Sequence, residues 1–123
     1  MGPFAADWNE ADVEAVVERG DPDELLYVPI VVGMNAPDCN REWAEGLCIK
    51  LAKHPNFNVR GNAILGLGHI ARTCRALNLE AAVPAVQKAL KDENAYVRGH
   101  AEDVVGDLKV FLGFTVPAFG QAK

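Results

Sequence analysis

Residues 58 to 63 read NVRGNA and residues 96 to 101 read YVRGHA, the same phrase written again thirty-eight positions later. Laying 54 to 71 over 92 to 109 at that offset matches Asn56 with Asn94, Val59 with Val97, Arg60 with Arg98, Gly61 with Gly99, Ala63 with Ala101 and Gly68 with Gly106. Leu67 falls on Val105 and Ile70 on Leu108. A self-match at this period is the mark of stacked supersecondary units. The apolar positions Val59, Ala63, Leu67 and Ile70, and then Val97, Ala101, Val105 and Leu108, stand three and four apart, so each copy is predicted to be a helix with one buried stripe.

Each of these helices has an apolar partner ahead of it. Arg41 to Lys53 carries Trp43, Leu47, Cys48 and Leu51, and Glu80 to Lys91 carries Val83, Val86, Ala89 and Leu90, so the unit is a helical hairpin. His54-Pro55-Asn56 closes one helix, Asp92 and Asn94 can cap the next, and Pro84 is placed near a helix start, where its missing amide costs little. An upstream copy sits at an offset nearer 35: Asn9 to Arg19, a turn at Gly20-Asp21-Pro22, and one partner helix from Asp23 to Met34, with Gly33 equivalent to Gly68 and Tyr27 to Asn62. Gly113 and Pro117 should end the last helix, leaving Phe114, Val116 and Phe119 to fold back over its open end. The expectation is one all-α domain over 1–123, an α-solenoid of about three hairpins (9–35, 41–75, 80–112) with a capping tail at 113–123.

The stretch VPAVQKALKDENAYVRGHAEDVVGDL resembles the HEAT-repeat family of α-solenoids: a proline in the first helix, an aspartate at the turn, and Val-Arg followed by alanine in the second helix. The middle copy departs from that pattern, with Gly46 where the last has Pro84 and His54 where it has Asp92. The resemblance implies that Arg60 and Arg98 are structural ties, with Asp92 a partner. Gly61, Gly66, Gly68, Gly99 and Gly106 each weaken a helix by about 1 kcal/mol relative to alanine, which is expected where a neighbouring helix must come close.

Composition narrows the function classes. The chain is 50% hydrophobic and 24% charged, as ordinary globular proteins are. Its net charge of −5 is lopsided: residues 7 to 24 hold eight acids against Arg19, and 25 to 79 hold six bases against three acids. A protein that tracks phosphates needs a basic stripe, and none is written here, so nucleic acid is not the expected ligand. Neither a signal peptide nor an apolar run of membrane-spanning length is visible, and three cysteines without CxxC spacing suit a reducing compartment, so a cytoplasmic protein is expected. Cys48 reads as a buried inert thiol, whereas Cys39 lies on an expected loop where it would be accessible.

Catalytic patterns are missing. There is no serine in the chain, the histidines His54, His69 and His100 stand too far apart for a local metal motif, and Gly66-Leu-Gly68 has no strand ahead of it to make a dinucleotide loop. No cofactor, no metal and no enzyme activity are expected. What remains is surface. Asn62, Gly66, His69 and Thr73 on one second helix, and His100, Asp103 and Asp107 on the other, lie at helical spacing away from the buried stripe, and Tyr27 joins them through the upstream alignment. In solenoids such helices line the concave binding side, although a merely solvated face gives the same pattern. A second surface is the Glu10, Glu14, Glu18 row, whose like charges four apart work slightly against the helix and invite a basic partner.

Small stand-alone HEAT proteins look like immunity proteins, which neutralise a toxin. That likeness implies a non-catalytic, monomeric binder that covers the active site of a basic toxin domain, a nuclease for example. Two other readings of the resemblance are a scaffold or adaptor, including chromophore-lyase-like proteins, where a chromophore role predicts a reactive thiol or bound pigment, and a helical-repeat DNA glycosylase, which would need a longer chain and a basic groove.

Overall fold

The computed structural model describes residues 9–35 and 40–117. Among the described residues seven helices follow one another: α1 (Glu10–Arg19), α2 (Pro22–Leu25), α3 (Val28–Met34), α4 (Arg41–Leu51), α5 (Phe57–Cys74), α6 (Leu79–Leu90) and α7 (Ala95–Leu112). The described residues contain no strand. Local sequence explains most of the boundaries. Asn9, Asp21, Asn40, Asn56, Asn78 and Asn94 each turn a side-chain oxygen onto an amide of the first helical turn, so each of six helices has at least one of its orphan donors met by a cap. Gly20 and Gly113 end α1 and α7 with φ of 71° and 65°, left-handed values that favour glycine.

Two helices differ from expectation, and proline is the reason in both. The single partner helix from Asp23 to Met34 is two pieces, α2 and α3, with Leu26 and Tyr27 between them. Pro29 has no amide to give to Leu25, so a continuous helix would break there; instead it stands in the first turn of α3, where no such bond is needed. Pro84 is not near the start of α6 but inside it, six residues into a helix that begins at Leu79. It leaves the Glu80 carbonyl without its usual i+4 donor.

The predicted stripe of α5 is fully buried: Val59, Ala63, Leu67 and Ile70 are all inaccessible, and on α7 so are Val97, Ala101 and Leu108. Val105 is only half-buried, and Val104 takes its place in the core. These residues join Val13, Val16, Leu25, Val28 and Val32 from the first three helices, and Leu47, Cys48, Leu51, Val86 and Ala89 from α4 and α6, in one continuous cluster.

The helices form two layers of unequal spacing. α5 packs extensively against α7 on one side and α3 on the other, whereas α4 and α6 scarcely meet. Glycine permits the crowding. A Cβ on Gly33 or Gly66 would lie 2.5 Å from a backbone oxygen of the opposite helix, and one on Gly61 or Gly68 would strike Tyr96 or Asp107 of α7. Gly99 and Gly106 do not behave in this way; nothing stands within 4 Å of the position a Cβ would take at either. A stack crowded in one layer and spread in the other curves toward the crowded one, which puts α3, α5 and α7 on the inner side.

Beyond Gly113 the chain turns back. Phe114 and Val116 are half-buried against the core, and Gln87 Nε2 donates to the Pro117 carbonyl at 2.9 Å, so the start of the tail covers the α6–α7 end. Phe119 lies outside the described residues, as does Cys39.

Candidate functional site

The inner surface is organised around Tyr96, in the first turn of α7. Its ring lies across the gap left by Gly61, and its hydroxyl donates to Asn62 Oδ1. Phe57 meets it edge-on at 6.0 Å between centroids, and His100, one turn further along α7, meets it at 4.6 Å and 88°. Perpendicular contacts of this kind suit aromatic quadrupoles and hold the rings in place. Burial pushes the Tyr96 phenol above its ordinary pKa, with a further push from nearby Tyr27. Tyr27, between α2 and α3, is 64% exposed, while Tyr96 and Phe57 are 39% and 38% exposed. Three aromatic rings thus reach solvent on one face, with the exposed carboxylate of Asp103 a turn beyond His100.

The expected surface residues divide. Tyr27, His100 and Asp103 belong to this face. Asn62 does not: it is buried, donating Nδ2 to the Leu26 carbonyl at 2.6 Å while accepting from Tyr96. Gly66 is buried too, under the Pro29 carbonyl. The side of α5 that the stripe leaves free is the side on which α3 stacks, so Asn62 ties the inner layer together instead of meeting a ligand. His69 and Asp107 are half-buried and engaged with each other's neighbour: Arg72 Nη1 reaches Asp107 Oδ2 at 3.3 Å, and its Nη2 meets His69 Nδ1. Burial lowers the His69 pKa, helped by the charge on Arg72, and burial raises that of Asp107. These three side chains bridge α5 to α7. His100 Nδ1 is buried with no hydrogen-bond partner among the described residues; Asp103 Oδ2 stands 3.9 Å away.

The acidic row lies elsewhere. Glu14 Oε2 accepts from Trp43 Nε1 at 2.9 Å, and Glu14 and Glu18 border a groove of about 490 Å³ between α1 and α4, along with Glu42, Trp43 and Lys50. Glu10, the first residue of α1, is half-buried and is not part of that border.

Both arginines of the repeated phrase are ties, in part as expected. Arg60 forms a bidentate pair with Asp92 at 2.9 Å on each arm, and its Nη1 donates to the His54 carbonyl at 3.2 Å. Arg98 makes the second contact only, donating Nη1 to the Asp92 carbonyl at 2.7 Å across the same six-residue span. The Asp92 carboxylate is already taken by Arg60. That hydrogen bond is the main cause that holds the Asp92 pKa below its ordinary value.

Three residues were not picked out from sequence. Phe57 and Tyr96 could have been, as aromatic residues in the first turns of helices, one position after the Asn56 cap and two after the Asn94 cap. Glu45 gave no such signal: it is buried, pairs with Arg41 at 3.3 Å and accepts the Asn78 amide at 2.9 Å, which anchors the start of α6. Cys48 is fully buried, with its thiol pushed up to about 12 by burial and then by Glu45. Among the described residues no group of His, Cys, Asp and Glu could hold a metal ion, and no helix is long and apolar enough to cross a membrane.

The paired helices, the turn aspartate and the crowded inner layer define an α-solenoid with three exposed aromatic rings on one face. A model of the family described as HEAT repeats matches residues 42–110, more than half of the chain, and the chain belongs to that family. No curated protein and no solved structure matches it. HEAT repeats commonly mediate contacts between proteins, and the family is generally non-catalytic.

Proposed function

We propose that the chain is a non-catalytic protein-binding module that engages its partner through the inner face. The observation that carries this reading is the set of exposed rings of Tyr27, Phe57 and Tyr96 gathered beside Asp103. Rigid aromatic side chains supply large contact area at small entropic cost, which is why they dominate binding hot spots. Asp103 and the Glu14 and Glu18 edge favour a partner with a basic surface, steering it by charge. A basic toxin domain neutralised by occlusion in the cytoplasm is the narrower form of the proposal; the net charge of −5 and the likeness to immunity proteins support it.

Affinity capture from native cells tests the reading. The wild-type chain recovers one basic protein, and a Tyr27→Ala, Asp103→Ala variant, altered only at exposed positions, loses it. Equal recovery by both chains overturns the choice of face. Co-expression with the captured protein tests the narrower form: growth is protected by the wild-type chain if the partner is a toxin, and is unaffected by either chain if it is not.

A further inference from the structure

The spread of the outer layer opens a second surface whose charge is opposite to the rest of the molecule. Between α4 and α6 runs a groove of about 520 Å³, floored by Ile49, Ala52, Ala85 and Ala89. Lys53, Lys88 and Lys91 stand around it, against the single exposed carboxylate of Glu93, so the rim keeps a positive balance. Arg60 and Asp92 also border it, but each neutralises the other. Lys53 and Lys88 are exposed and make no ion pair among the described residues, in contrast to Arg19, Arg41, Arg60 and Arg72, which all have carboxylate partners. Lysines near helix C-termini offset the helix dipole, and that need is met by Lys50 in the last turn of α4 and Lys88 in the last turn of α6, with Lys53 beyond the end of α4. The dipole does not account for an apolar floor of small side chains beneath them. Alanines opposite a half-buried isoleucine leave a trough that a bulkier side chain can fill.

We propose that this groove is a docking site for an acidic segment of a partner protein, anchored by a large apolar side chain on the alanine floor and held by the lysine rim. Charge complementarity selects the acid, and the apolar floor selects a peptide over a small polar anion. In a second copy of this chain the acidic helix α1 exposes only Ala11 and Ala15 as apolar side chains, and the acidic stretch Asp21, Asp23, Glu24 leads to Tyr27, a ring of the inner face. Docking of that stretch is the alternative that self-association of the chain detects. The site is separate from the inner face, so the two surfaces can be tested apart.

The probe is a fluorescent synthetic peptide of about twelve residues, rich in Asp and Glu with two Phe anchors, and a control with both Phe replaced by Ser. Anisotropy at low salt is expected to show saturable binding of the Phe peptide that weakens about tenfold or more in a Lys53→Glu, Lys88→Glu variant and at about 0.5 M salt. Ile49→Asp should weaken it comparably, and Tyr27→Ala should leave it unchanged. Circular dichroism of each variant confirms that the helices are retained. No binding, equal binding of the Ser control, or equal binding by the lysine variant overturns the proposal. So does capture by vesicles of anionic lipid without capture of the peptide, or lysine-dependent self-association of the chain alone. Loss of partner recovery through the inner face leaves these readouts untouched.

Discussion

Gly33 and Gly66 meet backbone to backbone where α3 crosses α5: a methyl group on Gly33 would lie 2.5 Å from the Gly66 carbonyl oxygen, and one on Gly66 would lie 2.5 Å from that of Pro29. The obstruction is backbone in both cases and cannot swing aside. Either Gly→Ala substitution must push the helices apart, at an expected cost of about 3 kcal/mol. Gly99 and Gly106 are helical glycines with open space around them, so Gly99→Ala and Gly106→Ala should each stabilise the fold by about 0.5–1 kcal/mol. Urea denaturation of the four variants checks the contrast. Equal effects at all four positions would mean that the inner layer is not held at glycine spacing.

The Arg60–Asp92 pair gives the fold an acid-sensitive joint. The folded-state pKa of Asp92 is depressed, chiefly by its hydrogen bond to Arg60. Its stabilisation is therefore complete above the unfolded carboxylate value of about 3.9 and is lost as pH falls through the lower folded value. Asp92→Asn should destabilise the protein by about 1–2 kcal/mol at neutral pH, and the gap to wild type should close as the pH falls below the unfolded carboxylate value and through the lower folded one. Thermal melts from about pH 2.5 to about pH 7, roughly the range of carboxylate titration, check both the size and the closing of the gap.

How much of this could be read from the chain depended on what each residue answers to. The second helices were legible because Val59, Ala63, Leu67 and Ile70 obey a period that burial imposes directly, and because Asn94 announces a helix start; Asn56, read as closing α4, caps α5 in the same way. The split of the first pair's second helix was not foreseen, although Pro29 stood in plain view; a proline can end a helix or open one, and the choice was made by the packing of α3 on α5. Asn62 was misplaced for a related reason. A polar residue at a non-stripe position looks solvent-facing until a neighbouring loop presents a carbonyl, here that of Leu26. The aromatic face needs contacts between residues more than thirty positions apart, such as Asn62 with Tyr96, which no periodicity encodes. Gly99 and Gly106 show the opposite limit: the repeat preserves the residue where nothing in the described structure presses on it.

Cys48 should behave as part of the core. With its thiol pushed up to about 12 and no accessible surface, it is almost wholly protonated and shielded near neutral pH. In a Cys39→Ala, Cys74→Ala background, a thiol-specific chromogenic reagent should react negligibly with the native protein and release one equivalent of chromophore on unfolding. Prompt reaction under native conditions would show that α3 and α4 separate readily.

The bond chain from Leu26 through Asn62 to Tyr96 joins all three inner-layer helices, because Asn62 on α5 takes its acceptor from the α2–α3 connection and its donor from α7. Asn62→Ala removes the middle of the chain and leaves the Leu26 carbonyl and the Tyr96 hydroxyl without these partners, which should cost about 2–3 kcal/mol. Tyr96→Phe keeps the ring over Gly61 and removes only the hydroxyl, so its cost should be nearer 1 kcal/mol. In the double variant the tyrosine hydroxyl is already absent when Asn62 is truncated, and the combined cost should fall short of the sum by about 0.5–1 kcal/mol. A double-mutant cycle by chemical denaturation measures that coupling, and strictly additive costs would mean that Tyr96 and Asn62 act on the fold independently.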